Sequence, residues 1–559
     1  MNPRASLYSK ITCTVAMLAC ATLVSAQALP RLKPIPPRGT HHNATLAATP
    51  KIAVAASSTL SHWQPLNNQP PFTSNSCNGG FPGAANPLLL TDGTVIVQDA
   101  GCQDWWRLTP DSTGSYANGA WSQIASLPSG YAPLYHSSAI LPDGRVIIMG
   151  GEYNFFNPVW TNMGAIYDPV LDIWKPVNPP NGWTTIGDAS SVVLANGTYM
   201  QANCCTSEAA LLDPATLTWT PTGTHKFDSN NEEGWTLLPN GKVLTVDAYV
   251  PIPPTMYDAS GTSSELYNPK SGAWKSAGST IVQLWDSTAA CGGYTKATTF
   301  EVGPAVLRAD GTVFHAGSNT CPNGSGNTAV YNSYEREWRP GPKFPTVDGV
   351  ADINIADGPA SWEPNDKVLM MASPNFGSPP SFFFEWDGKN LTQVPGPPNA
   401  PTDGSFYGNM LLLPTGQILL TDFSGDIELY NPVMSREDGE GEDRESQREI
   451  APVIISAPHE LARGSSHQIY GLRFNGVTQG AAYGDDVQAA TNFPLVRITN
   501  LKTSHVFYSR THDHSSMAVA SDEFVWTHFD VPANQETGSS KLEVVANGVA
   551  SKPVIVEIE

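Results

Sequence analysis

Short apolar stretches broken by tight polar turns recur along most of the chain. An apolar run, a turn and a second apolar run appear as LLLTDGTVIV at 88, AILPDGRVII at 139, VVLANGTYMQ at 192, TLLPNGKVLT at 236, AVLRADGTVF at 305, SWEPNDKVLM at 361 and LLLPTGQILL at 411. Asn-Gly and Asp-Gly pairs supply the positive φ that a tight hairpin needs, so these are seven predicted β-hairpins, roughly 50 residues apart. Behind the hairpins come an aliphatic or aromatic strand ending near Asp-Pro or Asn-Pro and then a Trp-centred strand. Examples are AIYDPVLDIWKPV, ALLDPATLTWTPT, ELYNPKSGAWKSA and AVYNSYEREWRPG. Four strands per repeat at this period describe a blade of a kelch-type β-propeller. The last repeat ends at IELYNP with no Trp strand behind it, while HWQPLN at 62 is a Trp strand with no repeat in front of it. The two ends therefore complete one blade together, which closes a seven-bladed ring and leaves no sheet edge bare.

The pattern changes after the last hairpin. Residues 434–449, MSREDGEGEDRESQRE, hold nothing to bury and read as a charged linker. From Ile450 onward PVIISAP, FPLVRITN, HVFYSRT, KLEVVANG and KPVIVEIE are short alternating strands at the spacing of an immunoglobulin-like β-sandwich. The predicted fold is thus all-β: a propeller over 61–433, the linker, and a C-terminal sandwich over 450–559. Residues 27–60, rich in Pro, Ala and Thr, are expected to be disordered. At the N-terminus Arg4 and Lys10 precede an apolar run from Ile11 to Val24, and Val24-Ser25-Ala26 fits a signal-peptidase site. Residues 1–26 therefore read as a signal peptide and the protein as secreted or periplasmic. A lipid-anchored Cys20 is the weaker alternative, since Met17-Leu18-Ala19 matches that signal poorly.

Composition narrows the partners. Across 559 residues the formal net charge is −21, which disfavours nucleic acid, because phosphates are gripped by clustered Lys and Arg. No later segment is apolar enough to span a bilayer, and nothing signals oligomerisation, so a monomer with a small-molecule or glycan ligand is expected. Six of the 8 cysteines remain beyond the leader, and in an oxidising compartment they read as disulfides. Cys77 with Cys102 and Cys291 with Cys321 are the expected pairs. Cys204-Cys205 form either a vicinal bridge or two separate ones.

LYHSSAILPDGRVIIMGG from Leu134, THDHSSMAV from Thr511 and the ending VVANGVASKPVIVEI, on top of seven blades, resemble the galactose oxidase and glyoxal oxidase family over most of residues 60–559. That resemblance implies one copper held by two tyrosines and two histidines, one tyrosine cross-linked to a cysteine, and oxidation of an alcohol or aldehyde with release of hydrogen peroxide. Carried over by position, Tyr135 matches the cross-linked tyrosine, Tyr407 the axial tyrosine, and His512 the histidine dipped into the mouth by the C-terminal domain. The site is incomplete. Gly408 stands where a histidine should follow the axial tyrosine, and Ala84, Ala85 and Asn86 stand where the cysteine should be. Copper(II) wants several nitrogen or oxygen ligands in a tetragonal set, so His136 or His514 would have to substitute.

Equivalent positions of the innermost strands stand in a ring around a propeller axis. Nine residues before the turn glycine, or ten where one residue is inserted, lie Ala84, Tyr135, Asp188, Glu232, Glu301, Asp357 and Tyr407, with Glu233 beside Glu232. Converging carboxylates repel, so some hold protons or a cation sits among them. The first outcome suits general acid and base work on a sugar, by hydrolysis or by elimination with a Tyr or His moving the proton; the second suits calcium or manganese. The bland alternative is that these carboxylates accept backbone hydrogen bonds from neighbouring blades. Trp183, Trp235 and Trp362 are candidates to stack on sugar rings, or else packing residues. Three readings follow: a carbohydrate-active enzyme with an acidic mouth, a copper oxidase with altered ligands, and a glycan-binding module without turnover.

Overall fold

The computed structural model describes residues 62–73, 83–248, 261–286, 301–318, 326–375, 377–433, 449–487 and 489–559. Each hairpin read from the sequence is an antiparallel pair in the expected register, with Leu88 opposite Ile96, Ala139 opposite Ile147 and Leu411 opposite Leu419. The turn glycines Gly93, Gly144, Gly197, Gly241, Gly311 and Gly416 all take positive φ. In the sixth hairpin Asp366 holds the same left-handed conformation, φ 64°, and its carboxylate accepts from Trp362 Nε1, Ala309 N and Arg308 Nη2. Those three bonds offset the strain that glycine avoids.

Among the described residues there are seven sheets built on four antiparallel strands each. Their innermost strands are Ala84–Leu89, Ser137–Ile140, Ser191–Val193, Thr236–Leu237, Val302–Leu307, Ala360–Trp362 and Asn409–Leu412. Successive inner strands touch, and polar links join the remaining junctions: Asn86 Nδ2 donates to Ser138 Oγ at 3.0 Å, and Ser190 Oγ donates to the Glu233 carbonyl. The contact of Ala84–Leu89 with Asn409–Leu412 brings the seventh sheet back to the first. This is the all-β propeller expected from the repeats.

The Trp strands explain the packing. Tyr167 lies opposite Trp174, Tyr267 opposite Trp274 and Tyr331 opposite Trp338, with ring centroids 4.9, 5.4 and 5.0 Å apart. In the seventh sheet the same pair is made by the two ends of the repeat region. Trp63–Pro65 adds to Glu428–Tyr430, Trp63 faces Tyr430 at 5.1 Å, and its Nε1 donates to the Pro395 carbonyl at 2.6 Å.

Beyond the propeller, nine strands run as one hydrogen-bonded ladder. Strand Val506–His512 turns the corner: its first half pairs with Leu495–Asn500 and its second half with Phe524–Asp530. The folded-over ladder encloses Ile469, Phe474, Val496, Ile498, Phe529, Leu542 and Val544. This unit docks on the turn end of the propeller. Thr511 N donates to Thr91 O, Arg510 Nη2 to Asp143 O, and Met517 N to Ala195 O, at 3.1, 2.8 and 2.9 Å. From that base a finger enters the ring: Thr491 N closes onto Gln479 O, Trp362 N donates to Gly480 O, and Ala481–Ala482 pair with Ser361 and Ala360. No helix among the described residues is long and apolar enough to cross a membrane.

Candidate functional site

The ring register marks where each innermost strand begins, at the end away from the docked unit. Three of the positions are strained in the same way: Tyr135, Glu232 and Asp357 take φ of 48°, 55° and 53°, and Gly187 just before Asp188 takes 67°. A left-handed residue at a strand start swings its side chain off the sheet, and non-glycine residues adopt it at a cost of order 1–3 kcal/mol. Here the kink brings the side chains of different blades together.

One oxygen each of Asp188, Glu232 and Asp485 lie within 4.8 Å of one another, and one each of Glu232, Glu301 and Asp357 do the same. Glu232 belongs to both sets. All five carboxylates are 1–2% exposed. The four that the sequence placed in the ring therefore meet, and Glu301 Oε2 has no hydrogen-bond partner. Glu233 does not join them. It turns into the sheet, where Lys226 Nζ lies 3.1 Å from it, 3.3 Å from Asp247 and 2.8 Å from Glu265, and also contacts Asp228. Burial works against the Lys226 charge, but the four carboxylates outweigh it and hold the ammonium well above its usual range. Burial, and then repulsion by Asp228, pushes Glu233 up.

The remaining blades give the opposite chemistry. Ala85, Tyr135, Tyr153, Phe406, Tyr407, Phe423, Tyr483 and Val487 form one buried cluster. Phe423 lies between Tyr135 and Tyr407, with centroids 6.0 and 6.3 Å away. Burial and then the nearby Asp403 carboxylate raise the Tyr407 phenol. The centre is thus two-sided: carboxylates from blades three to six, and aromatics from blades seven and two, with only alanines from blade one between them.

The finger tip, missed by sequence reading, lies between these sides. Tyr483 hydroxyl donates to Phe406 O at 2.7 Å, Ser190 Oγ donates to Asp485 O, and Asp485 completes the first carboxylate set. A Cβ on Gly484 would meet Asp357 Oδ1 at 2.3 Å, and one on Gly234 would meet Gly484 O at 2.2 Å, so two glycines permit the contact. The available signal was QGAAYGDDVQAA itself, where two acids follow a Gly within small residues.

His512 is not in the mouth. It sits on the docked sheet opposite His528, 2.8 Å from Asp513 and 3.1 Å from Asp530, in a cluster of its own. The physical reason is that its strand is the corner of that sheet, and residues 479–487 supply the inserted segment instead. The candidate substitutes fare no better. His136 Nε2 lies 3.3 Å from Asn86 Nδ2 at the junction of blades one and two, and burial lowers its pKa to about 3. His514 is buried against Thr527, its pKa also lowered to about 3 by burial and by His512. Tyr135 and Tyr407 share the aromatic cluster, but Gly408 and Ala85 offer no copper ligand and Gly408 has Met371 Sδ and Pro359 against it. Among the described residues the side chains do not fit the copper-radical ligand set. Trp235 and Trp362 are 3% and 0% exposed, so they pack rather than stack on a ligand. Cys204 and Cys205 are joined as a vicinal disulfide, and Cys102 is disulfide-bonded. Cys77, Cys291 and Cys321 lie outside the described residues.

No family model matches the chain. Over 127 residues it is 28% identical to the Kelch-like protein terF of Aspergillus terreus, a stretch that is 22% of this chain and 25% of that protein. The chain thus spans about a quarter of the length of this curated relative. It is similar to a solved fungal alcohol oxidase of the AA5 family in complex with copper, at 14% identity over 88% of this chain and 99% of that one, TM-score 0.46. It is also similar to a streptogramin B lyase, at 9% identity over 66% of this chain and 96% of that one, TM-score 0.42. The kelch-like match accords with the repeated four-stranded sheets.

Proposed function

We propose that this is a secreted or periplasmic propeller that binds a carbohydrate or related polyhydroxylated metabolite at the central mouth and acts on it, as a hydrolase or lyase, through the carboxylates of blades three to six. The observation that carries the reading is Glu232, which stands within 4.8 Å of two carboxylate sets at once. Acids this close do not all ionise without a countercharge, so a protonated acid beside an ionised one, or a bound cation, is the state that burial favours. Both serve proton transfer or leaving-group stabilisation at a sugar. At 1–2% exposure the carboxylates admit a hydroxyl or an ion, not a whole ring. The apolar face of a ring finds its complement in the aromatic side around Tyr135 and Tyr407. The N-terminal pattern of Arg4, Lys10 and the apolar run to Val24 supports export.

The test is a panel of neutral and acidic oligosaccharides with the wild-type chain and Glu232→Gln. The expected result is turnover on some member and a loss of order 10²–10⁴-fold in kcat in the variant, with affinity kept. A variant that changes affinity alone would identify a binding module, and undiminished turnover would remove Glu232 from the chemistry.

A further inference from the structure

We infer that Glu232, Glu301 and Asp357 hold a calcium ion; this rests on the reading of the mouth as the working site and assigns its cofactor. Three oxygens no more than 4.8 Å apart share a point that is at most about 2.8 Å from each of them. Calcium–oxygen distances are about 2.3–2.6 Å, so a contraction of at most a few tenths of an ångström completes three ligands. The independent observation is Glu301. Its side chain is 1% exposed, its carboxylate converges on Glu232 and Asp357, and Oε2 is hydrogen-bonded to nothing. Leaving a carboxylate oxygen buried without a partner is unfavourable, and a hard cation removes that penalty. One residue from Glu232 the chain shows the same remedy with its own material, where Lys226 sits among the carboxylates that include Glu233.

The donor set selects the ion. It is all oxygen, with no thiolate or imidazole in the set, which disfavours zinc. Magnesium demands a near-ideal octahedron at about 2.0–2.1 Å and gives up its waters reluctantly, so a buried set of protein carboxylates suits it less than it suits calcium. Manganese shares the oxygen preference and is the competitor to be tested. Asp188 and Asp485 belong to the other set that shares Glu232, and they are left for proton transfer.

The experiment is calorimetric titration of calcium into chelator-stripped, full-length protein, with thermal unfolding in calcium and in chelator. The expected result is one ion per chain at this site and a Tm several degrees higher with calcium. Glu301→Gln and Asp357→Asn should each weaken binding at least tenfold, while their Tm in chelator stays near that of the wild type. Should one variant fail to fold, the other decides. No uptake of calcium, manganese binding at least as tightly as calcium, or undiminished calcium binding in a folded variant would each overturn the assignment. The two readings fail separately: calcium uptake without sugar turnover sinks the proposed function alone, and turnover unaffected by chelation in a protein that takes up no calcium sinks the cation alone.

Discussion

Lys226 and its four carboxylates show at single-residue scale how this acidic chain manages buried charge. Its ammonium and the carboxylates of Asp228 and Glu233 are fully buried, and Asp247 and Glu265 are 1% and 4% exposed at the side chain. One cation cannot neutralise four anions, which is why burial and mutual repulsion push Glu233 and Asp247 upward while Lys226 keeps its charge. Lys226→Met should therefore destabilise by about 3–5 kcal/mol at pH 7, the usual cost of stranding buried charge. The deficit should shrink at pH 5, because protonation replaces the lost cation. Urea unfolding at the two pH values checks this, and a deficit independent of pH would mean that packing, not charge, was lost. None of this was legible in the sequence. Glu232 and Glu233 are identical neighbours, and only the left-handed φ at Glu232 sends one to the axis and the other to Lys226. By contrast Asp188, Glu232, Glu301 and Asp357 were legible as a set, since their count from the turn is fixed by strand geometry.

At the scale of elements, the seventh blade carries a second acidic nest that titrates. Glu428 begins the strand Glu428–Tyr430, is 1% exposed, and has neither carboxylate oxygen hydrogen-bonded. Burial, then Asp422, Asp426 and Asp403, push it from 4.5 to about 10. Burial and Asp422 push Asp403 to about 9. The native chain thus keeps protons that the unfolded chain releases above the ordinary carboxylate range. The stability these groups contribute is full below that range and is lost as pH rises towards 9 and 10, at about 1.4 kcal/mol per pH unit per retained proton. Glu428→Gln, neutral at every pH, should flatten the decline between pH 5 and 9 and leave the variant the more stable form at pH 9. Denaturation midpoints across that range would show parallel slopes instead if Glu428 were ionised in the native state. The finger is the element that sequence patterning could not reveal. Residues 479–487 have neither strand alternation nor helical period, and Ala481–Ala482 become a strand because Ala360 and Ser361 offer an inner edge to pair with. His512 suffered the reverse error: a motif resemblance placed it, whereas the pairing of its strand holds it on the docked sheet.

For the molecule as a whole, the integrity of the centre depends on ring closure, because carboxylates from blades three to six and aromatics from blades seven and two meet only if every junction is kept. Closure rests on a short element, the three residues Trp63–Pro65 added to Glu428–Tyr430. This was the most legible feature of the fold, since a missing strand and a surplus strand at opposite ends of the repeats have one joint solution. Trp63 is 7% exposed, packs on Phe383 and Tyr430, and donates to Pro395 O. Trp338 makes the equivalent pair with Tyr331 within the fifth blade and is also 7% exposed. Replacing either by Ala removes a comparable side chain, at about 3–5 kcal/mol. The consequences should nonetheless differ. Trp338→Ala leaves all four strands of its blade continuous with the ring, so the denaturation midpoint falls and the slope stays. Trp63→Ala loosens the strand that joins the chain ends, so the seventh blade opens before the rest and exposes part of the unfolding surface early. The apparent m-value should then fall along with the midpoint, because m follows the surface exposed in the cooperative step. Fluorescence and far-ultraviolet dichroism should give separate transitions for Trp63→Ala and coincident ones for Trp338→Ala. Coincident transitions with unchanged slope in both variants would show that the inner-strand contacts and the finger hold the ring shut without the closing strand.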